Sequence, residues 1–193
     1  MNVIILAAGQ GSRMGKLTIS TPKPLLPFGD TNVISRLISQ LLCRGVKKIT
    51  VVVGYKAELF YEELNDKFPG KIEFVLNEEF KKDVNIYSVY LALKITKYTN
   101  YLIFESDCVY ADESIDRIIQ SIDEKNSHWY SIGQFHKNQN GGIIKSDNTG
   151  LIQNLQIVPE FLNKFSGHNK LIGILHVNPG NAAVFFELVT KEV

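Results

Sequence analysis

Val3-Ile4-Ile5-Leu6-Ala7-Ala8 runs directly into Gly9-Gln10-Gly11-Ser12-Arg13-Met14. The first half is a continuous apolar run, the mark of a strand buried in a parallel sheet. The second half offers closely spaced backbone N–H groups with little side-chain obstruction, which suits phosphate oxygens. Arg13 adds a planar, permanently charged fork, and Lys23, in Pro22-Lys23-Pro24-Leu25-Leu26-Pro27, adds a mobile point charge. A glycine loop with two cations at the head of an α/β chain points to a polyphosphate ligand.

Two common glycine loops are excluded. The dinucleotide fingerprint G-x-G-x-x-G needs glycine where Met14 stands. The ATPase loop G-x-x-x-x-G-K-[ST] needs glycine at Gln10 and a hydroxyl residue at Leu17.

Outward from this loop, strand and helix patterns alternate, which predicts a largely parallel sheet with helices on both faces. Strands are expected over Val3–Ala7, Lys48–Val53, Lys71–Leu76 and Tyr101–Glu105. A helix capped by Asp30 or Thr31 carries Val33, Ile34, Leu37, Ile38, Leu41 and Leu42 and stops near Gly45. Further helices are expected over Lys56–Asn65, Asn85–Ile95 and Asp112–Asp123. Beyond these the pattern turns antiparallel: Trp129–Phe135, Gly142–Lys145, Leu151–Val158 and Ile172–Val177, with a turn at Asp147-Asn148-Thr149-Gly150. Pro179 is expected to open a closing helix.

At 193 residues the chain is read as one domain with a substantial core. A formal charge of +1 gives no case for a nucleic-acid or anionic membrane surface. The six-residue N-terminal apolar run has no basic lead-in, so neither a signal peptide nor a membrane span is expected, and the cytoplasm is the default compartment. Cys43 and Cys108 lack metal or redox spacing; Cys43 is expected in the core and Cys108 as a small apolar filler. His128, His136, His168 and His176 are scattered and do not form a zinc pattern.

Chemistry is expected beyond the carboxyl ends of the strands. Glu105-Ser106-Asp107 ends the fourth strand there. A carboxylate aimed at a triphosphate needs an intervening cation, and Mg²⁺ held by one or two carboxylates plus phosphate oxygens meets that need. Asp107 is the expected metal ligand and Glu105 a weaker second candidate. Asn85 and Ser88 begin a helix beside the loop, and an amide can offer a pyrimidine edge both donor and acceptor. Asn85 reads equally as a helix cap, and the two roles are compatible.

The pattern Leu6-Ala7-Ala8-Gly9-x-Gly11-Ser12-Arg13-Met14 followed by Pro22-Lys23 resembles the nucleotidyltransferase family, which joins a nucleoside triphosphate to a phosphorylated small molecule. Leu25-Leu26-Pro27 and Val51-Val52-Val53-Gly54-Tyr55 extend the match, which fades after about residue 110. Asn85-Ile86-Tyr87-Ser88 is similar to the cytidylyltransferase branch, although that branch often has asparagine where Val84 stands. The resemblance implies a three-layer αβα, Rossmann-like fold with a small antiparallel C-terminal part. It implies nucleotide contacts from Leu6, Ala8, Gly9, Gly11, Ser12, Arg13, Asn85 and Ser88, catalysis by Arg13 and Lys23, and Mg²⁺ on Asp107. CTP and a phosphorylated acceptor are the implied partners; a homodimer is compatible with the sequence.

Two features depart from the family pattern. Ser106 replaces the glycine that usually precedes the metal aspartate, and Glu187–Val193 offers no match for a second metal-binding aspartate, so the domain is expected to lack its C-terminal end. For the acceptor, Tyr110, Trp129, Tyr130 and Phe135 are candidates for an aromatic cage. The polar stretch Asn138–Gly142 carries no acidic-aromatic pair, which favours a different phosphomonoester or a phosphonate over phosphocholine. A sugar-1-phosphate nucleotidyltransferase using UTP or dTTP, and a nucleotide-binding module without turnover, remain as alternatives.

Overall fold

The computed structural model describes residues 1–11, 14–82, 85–96 and 99–193. Two compact units emerge: residues 1–127 with 176–193, and residues 128–175. In the first, β1 (Asn2–Ala7) leads through the short helix α1 (Leu17–Ser20) and a hairpin of β2 (Pro27–Phe28) and β3 (Thr31–Asn32) to α2 (Val33–Cys43). Then come β4 (Ile49–Val53), α3 (Ala57–Lys67), β5 (Ile72–Leu76), α4 (Asn85–Ile95), β6 (Tyr101–Glu105) and α5 (Asp112–Ser121).

The strands of this unit lie in the order β5-β4-β1-β6, all parallel. The β1→β4→β5 crossovers step one way across the sheet and the β5→β6 crossover steps back. Right-handed connections therefore put α2 and α3 on one face and α4 on the other. The packing agrees, since α4 lies on β1 and β4 while α2 lies against α5. Val3, Ile4 and Ile5 of β1, and Ile49, Val51, Val52 and Val53 of β4, are buried, each side chain worth about 1.5–3 kcal/mol when removed from water.

Register decides where a ligand can sit. Ala7 pairs with Val53, and Leu6 pairs with Glu105 on the opposite side. The loops after β1, β4 and β6 thus leave the same sheet edge. Chain order reverses across β1, so the crevice at its carboxyl end is the switch point of the sheet.

The second unit holds β7 (His128–Gln134), β8 (Gly141–Ser146), β9 (Ile152–Val158) and most of β10 (Asn169–Val177), with β8 antiparallel to β9 and to β10. β8 pairs with both β9 and β10, and β7 pairs with β10. Phe135, Ile143, Val158 and Phe165 make its core. The expected turn at Asp147 is built by that carboxylate, which accepts from the Thr149 hydroxyl at 2.6 Å and from the Thr149 and Leu151 amides. These bonds, led by the Thr149 hydroxyl, hold Asp147 below the usual carboxylate range.

Several local expectations are corrected. The cap of α2 is Asn32, whose side chain accepts from Ser35 N at 2.9 Å, because Asp30 is taken up in the β2–β3 turn beside Gly29 (φ +60°). Cys43 is exposed rather than in the core. At about 100° per residue it falls about 180° around α2 from the buried Ile34. Pro179 opens a 3₁₀ turn, Pro179–Asn181, and the closing helix α6 spans Ala182–Lys191.

Candidate active site

Gly11 has φ +66°, which glycine adopts without strain, and a Cβ there would lie 3.3 Å from the Lys23 Cβ. Met14 N donates to Gly11 O at 3.0 Å, and the Thr18 hydroxyl shares its proton between Gly11 O and Gly15 O at 3.1 and 3.3 Å. Anchors from beyond β4 hold α1: the Tyr55 hydroxyl donates to Ile19 O at 2.8 Å and Lys56 Nζ to Ser20 O at 3.0 Å. Nothing local in the sequence marks Tyr55 or Lys56 for this work.

Lys23 opens a 3₁₀ turn between two prolines, whose fixed φ angles limit the backbone that carries it. Its Nζ meets Asp107 Oδ2 at 2.9 Å, with both side chains about one-third exposed. Two residues 84 positions apart are thereby joined at the sheet edge, beside Gly11.

The loop that carries Asp107 is held from both ends. Ser106 is buried and its hydroxyl donates to Leu6 O at 2.7 Å, tying the β6 exit to β1. Further on, Gln40 of α2 donates through Nε2 to Tyr110 O at 3.1 Å, and the Tyr110 ring packs edge-on against Phe104. Burial pushes the Cys108 thiol up, so it stays protonated and donates to Asp107 Oδ1 at 3.6 Å. Arg44 closes the α2–α5 seam on Asp116 at 2.6 Å, and this bond lowers the Asp116 pKa.

At the start of α4, Asn85 Nδ2 donates to Glu105 Oε1 at 3.2 Å. Ser88 is buried, and its hydroxyl accepts from Asn77 Nδ2 at 2.9 Å. Asn77 also accepts from Glu79 N and donates its backbone N–H to Val53 O. Asn77 therefore sets α4 against the end of β5, and Ser88 supports that seat instead of facing open space. Ala8 is buried with its carbonyl bound to Tyr55 N, while Gly9 is exposed.

Of the residues expected in the site, Gly11, Lys23 and Asp107 converge, with Leu6 behind Ser106 and Asn85 on Glu105. Ser12 and Arg13 lie outside the described residues. Two aromatic-cage candidates are core residues: Tyr110 is buried on Phe104, and Phe135 is buried in the second unit. Among the described residues, no cluster of three or more His, Cys, Asp or Glu could hold a metal. The donor set still suits Mg²⁺, which takes few protein carboxylates and keeps oxygens from water and phosphate. Asp107 is such a carboxylate, already holding a cation in Lys23. No helix among the described residues is long and apolar enough to cross a membrane.

A family model described as nucleotidyl transferase matches residues 2–164. A 2-aminoethylphosphonate cytidylyltransferase of Lancefieldella rimae is 41% identical over 114 residues, covering 59% of this chain and 46% of that protein. A choline-phosphate cytidylyltransferase of Streptococcus pneumoniae is 36% identical over 91 residues, covering 47% of this chain and 38% of that one. The solved structure of the CTP:phosphocholine cytidylyltransferase from Streptococcus pneumoniae superposes with a TM-score of 0.77 at 21% identity, covering 98% of this chain and 76% of that one. That likeness shows a shared α/β fold. The chain spans less than half the length of the first curated relatives it matches, 46% and 42%.

Proposed function

The chain belongs to the nucleotidyl transferase family, and we propose that it transfers CMP from CTP to a small phosphonate or phosphomonoester, releasing pyrophosphate. The observation that carries this reading is the meeting of Gly11, Lys23 and Asp107 at the switch point of the sheet. The choice of CTP is supported by the cytidylyltransferase names of two relatives, and a phosphonate acceptor by the first of them.

The reaction needs no covalent enzyme intermediate. An oxygen of the acceptor attacks the α-phosphorus of CTP, the bond to the bridging α–β oxygen breaks, and pyrophosphate leaves with that electron pair. The acceptor is anionic at neutral pH, so no general base is required; positioning and charge neutralisation supply the catalysis. The glycine loop receives the triphosphate on its N–H groups, Lys23 neutralises charge where acceptor and α-phosphate meet, and Arg13 does so at the departing phosphates. Asp107 would hold Mg²⁺, which when bound supplies further charge neutralisation at the phosphates.

Calorimetric titration of CTP, UTP, ATP and GTP with Mg²⁺ tests the assignment. Selective binding of CTP, lost in Asp107→Ala, is the expected result. Preference for UTP would move the chain to the sugar-1-phosphate branch, and no binding by any nucleotide would overturn the reading of the glycine loop.

A further inference from the structure

We infer that Glu105 is the residue that makes the site choose cytosine over uracil, by fixing which end of the Asn85 amide reads the base. The inference rests on the proposed CTP site and deepens it.

A primary amide presents a donor at one end and an acceptor at the other, and a free asparagine can turn either toward a ligand. Such a side chain cannot discriminate cytosine from uracil alone. The two bases differ at two adjacent edge positions: cytosine carries an amino donor at C4 and an acceptor at N3, whereas uracil and thymine carry an oxygen acceptor at C4 and an N–H donor at N3. An asparagine selects between them only if something holds the amide one way round.

Glu105 does this. Its carboxylate lies 3.2 Å from Asn85 Nδ2 and as an anion can only accept. Turning the amide over would bring Oδ1 against the carboxylate, acceptor on acceptor. The amide is thereby locked with its NH₂ on Glu105 and Oδ1 turned away, as the end that can accept. Set opposite C4, an acceptor there pairs with the cytosine amino group and opposes the uracil oxygen.

Both partners sit next to anchored residues. Glu105 is the last residue of β6, with Leu6 of β1 across from it in register. The next residue, Ser106, points the other way and is bound to Leu6 O, so strand alternation keeps Glu105 turned toward α4. Asn85 is the first residue of α4, whose first turn is fixed to β5 by the buried Asn77–Ser88 bond. The asymmetry that the base meets is therefore built from three strand ends.

This role differs from metal binding by Glu105 in what it moves. Loss of a metal ligand weakens CTP and UTP alike, whereas loss of an amide lock changes their ratio. The test is the ratio of UTP to CTP dissociation constants, with Mg²⁺, in the wild type, Glu105→Gln, Asn85→Ala and the double variant. Glutamine at 105 can accept or donate, so the amide at 85 can turn. The ratio is expected to fall about tenfold in Glu105→Gln, the scale of one hydrogen-bond mismatch. Asn85→Ala should lose the same preference, and adding Glu105→Gln to it should change nothing more.

A wild-type ratio retained in Glu105→Gln overturns the inference while leaving the CTP site in place. A ratio retained in Asn85→Ala overturns it equally, and needs only that variant to fold. A wild type without preference for CTP removes the proposed nucleotide first, and the inference with it.

Discussion

Replacing Lys23 with alanine is expected to lower turnover about 10³-fold while leaving the fold intact, the scale seen when one preorganised electrostatic group is removed from a transition state. The asymmetry follows from the environment of the side chain. In the free protein its ion pair with Asp107 is one-third exposed, and such pairs are worth about 0–1 kcal/mol. Thermal melting should therefore shift little. When acceptor and triphosphate meet, two anions must approach each other, and Lys23 is the described cation beside Gly11 and Asp107. The loss should appear mainly in kcat, read as pyrophosphate release at saturating CTP and acceptor. Near-normal turnover would remove Lys23 from the reaction.

Gly54→Ala should act by the opposite route, on folding instead of chemistry. A Cβ at this position would lie 2.7 Å from the Phe80 Cβ, 2.9 Å from Ala8 O and 2.9 Å from Asn77 O. Two of these three neighbours are backbone oxygens at the ends of β1 and β5, so no side-chain movement relieves the clash. Overpacking of this kind costs about 1–3 kcal/mol, and here the upper end is expected. Urea unfolding should show a lower midpoint at unchanged slope. Gly9→Ala is the stability control, since nothing lies within 4 Å of a Cβ there. Equal midpoints for the two variants would contradict the close three-strand junction that seats the candidate site.

That junction shows what the sequence could and could not announce. The buried strands are legible because Val3–Ala7 of β1 is an unbroken apolar run and β4 is β-branched throughout, and the bounds expected for α4, Asn85–Ile95, are those observed. The β2–β3 hairpin was not, since two-residue strands carry no periodicity and Phe28-Gly29-Asp30-Thr31 reads equally as a loop. For the same reason the sequence points to Asp30 or Thr31 as the cap of α2, where the structure has Asn32. The apolar neighbours of Cys43 point it to the core, and only the helical angle from Ile34 turns it outward.

In the candidate site, the glycine loop, Lys23 and Asp107 were legible through spacing and strand ends. Their contact was not, because it depends on β1 and β6 being adjacent, a fact of topology. The bonds that seat them are harder still. Gln40 on Tyr110 O, Ser106 on Leu6 O and Asn77 on Ser88 each join segments with no shared local pattern. Glu105 is legible only as a carboxylate at a strand end; its bond to Asn85, 20 positions away in the chain, is a fact of the fold.

Transfer of a CMP group at this site is read directly by ³¹P nuclear magnetic resonance of the protein with CTP, Mg²⁺ and 2-aminoethylphosphonate. Acceptor-dependent pyrophosphate is expected, one for one with a new signal from CMP joined to the phosphonate. CTP that binds yet yields no acceptor-dependent pyrophosphate, with this phosphonate, phosphocholine or a sugar 1-phosphate, would contradict it.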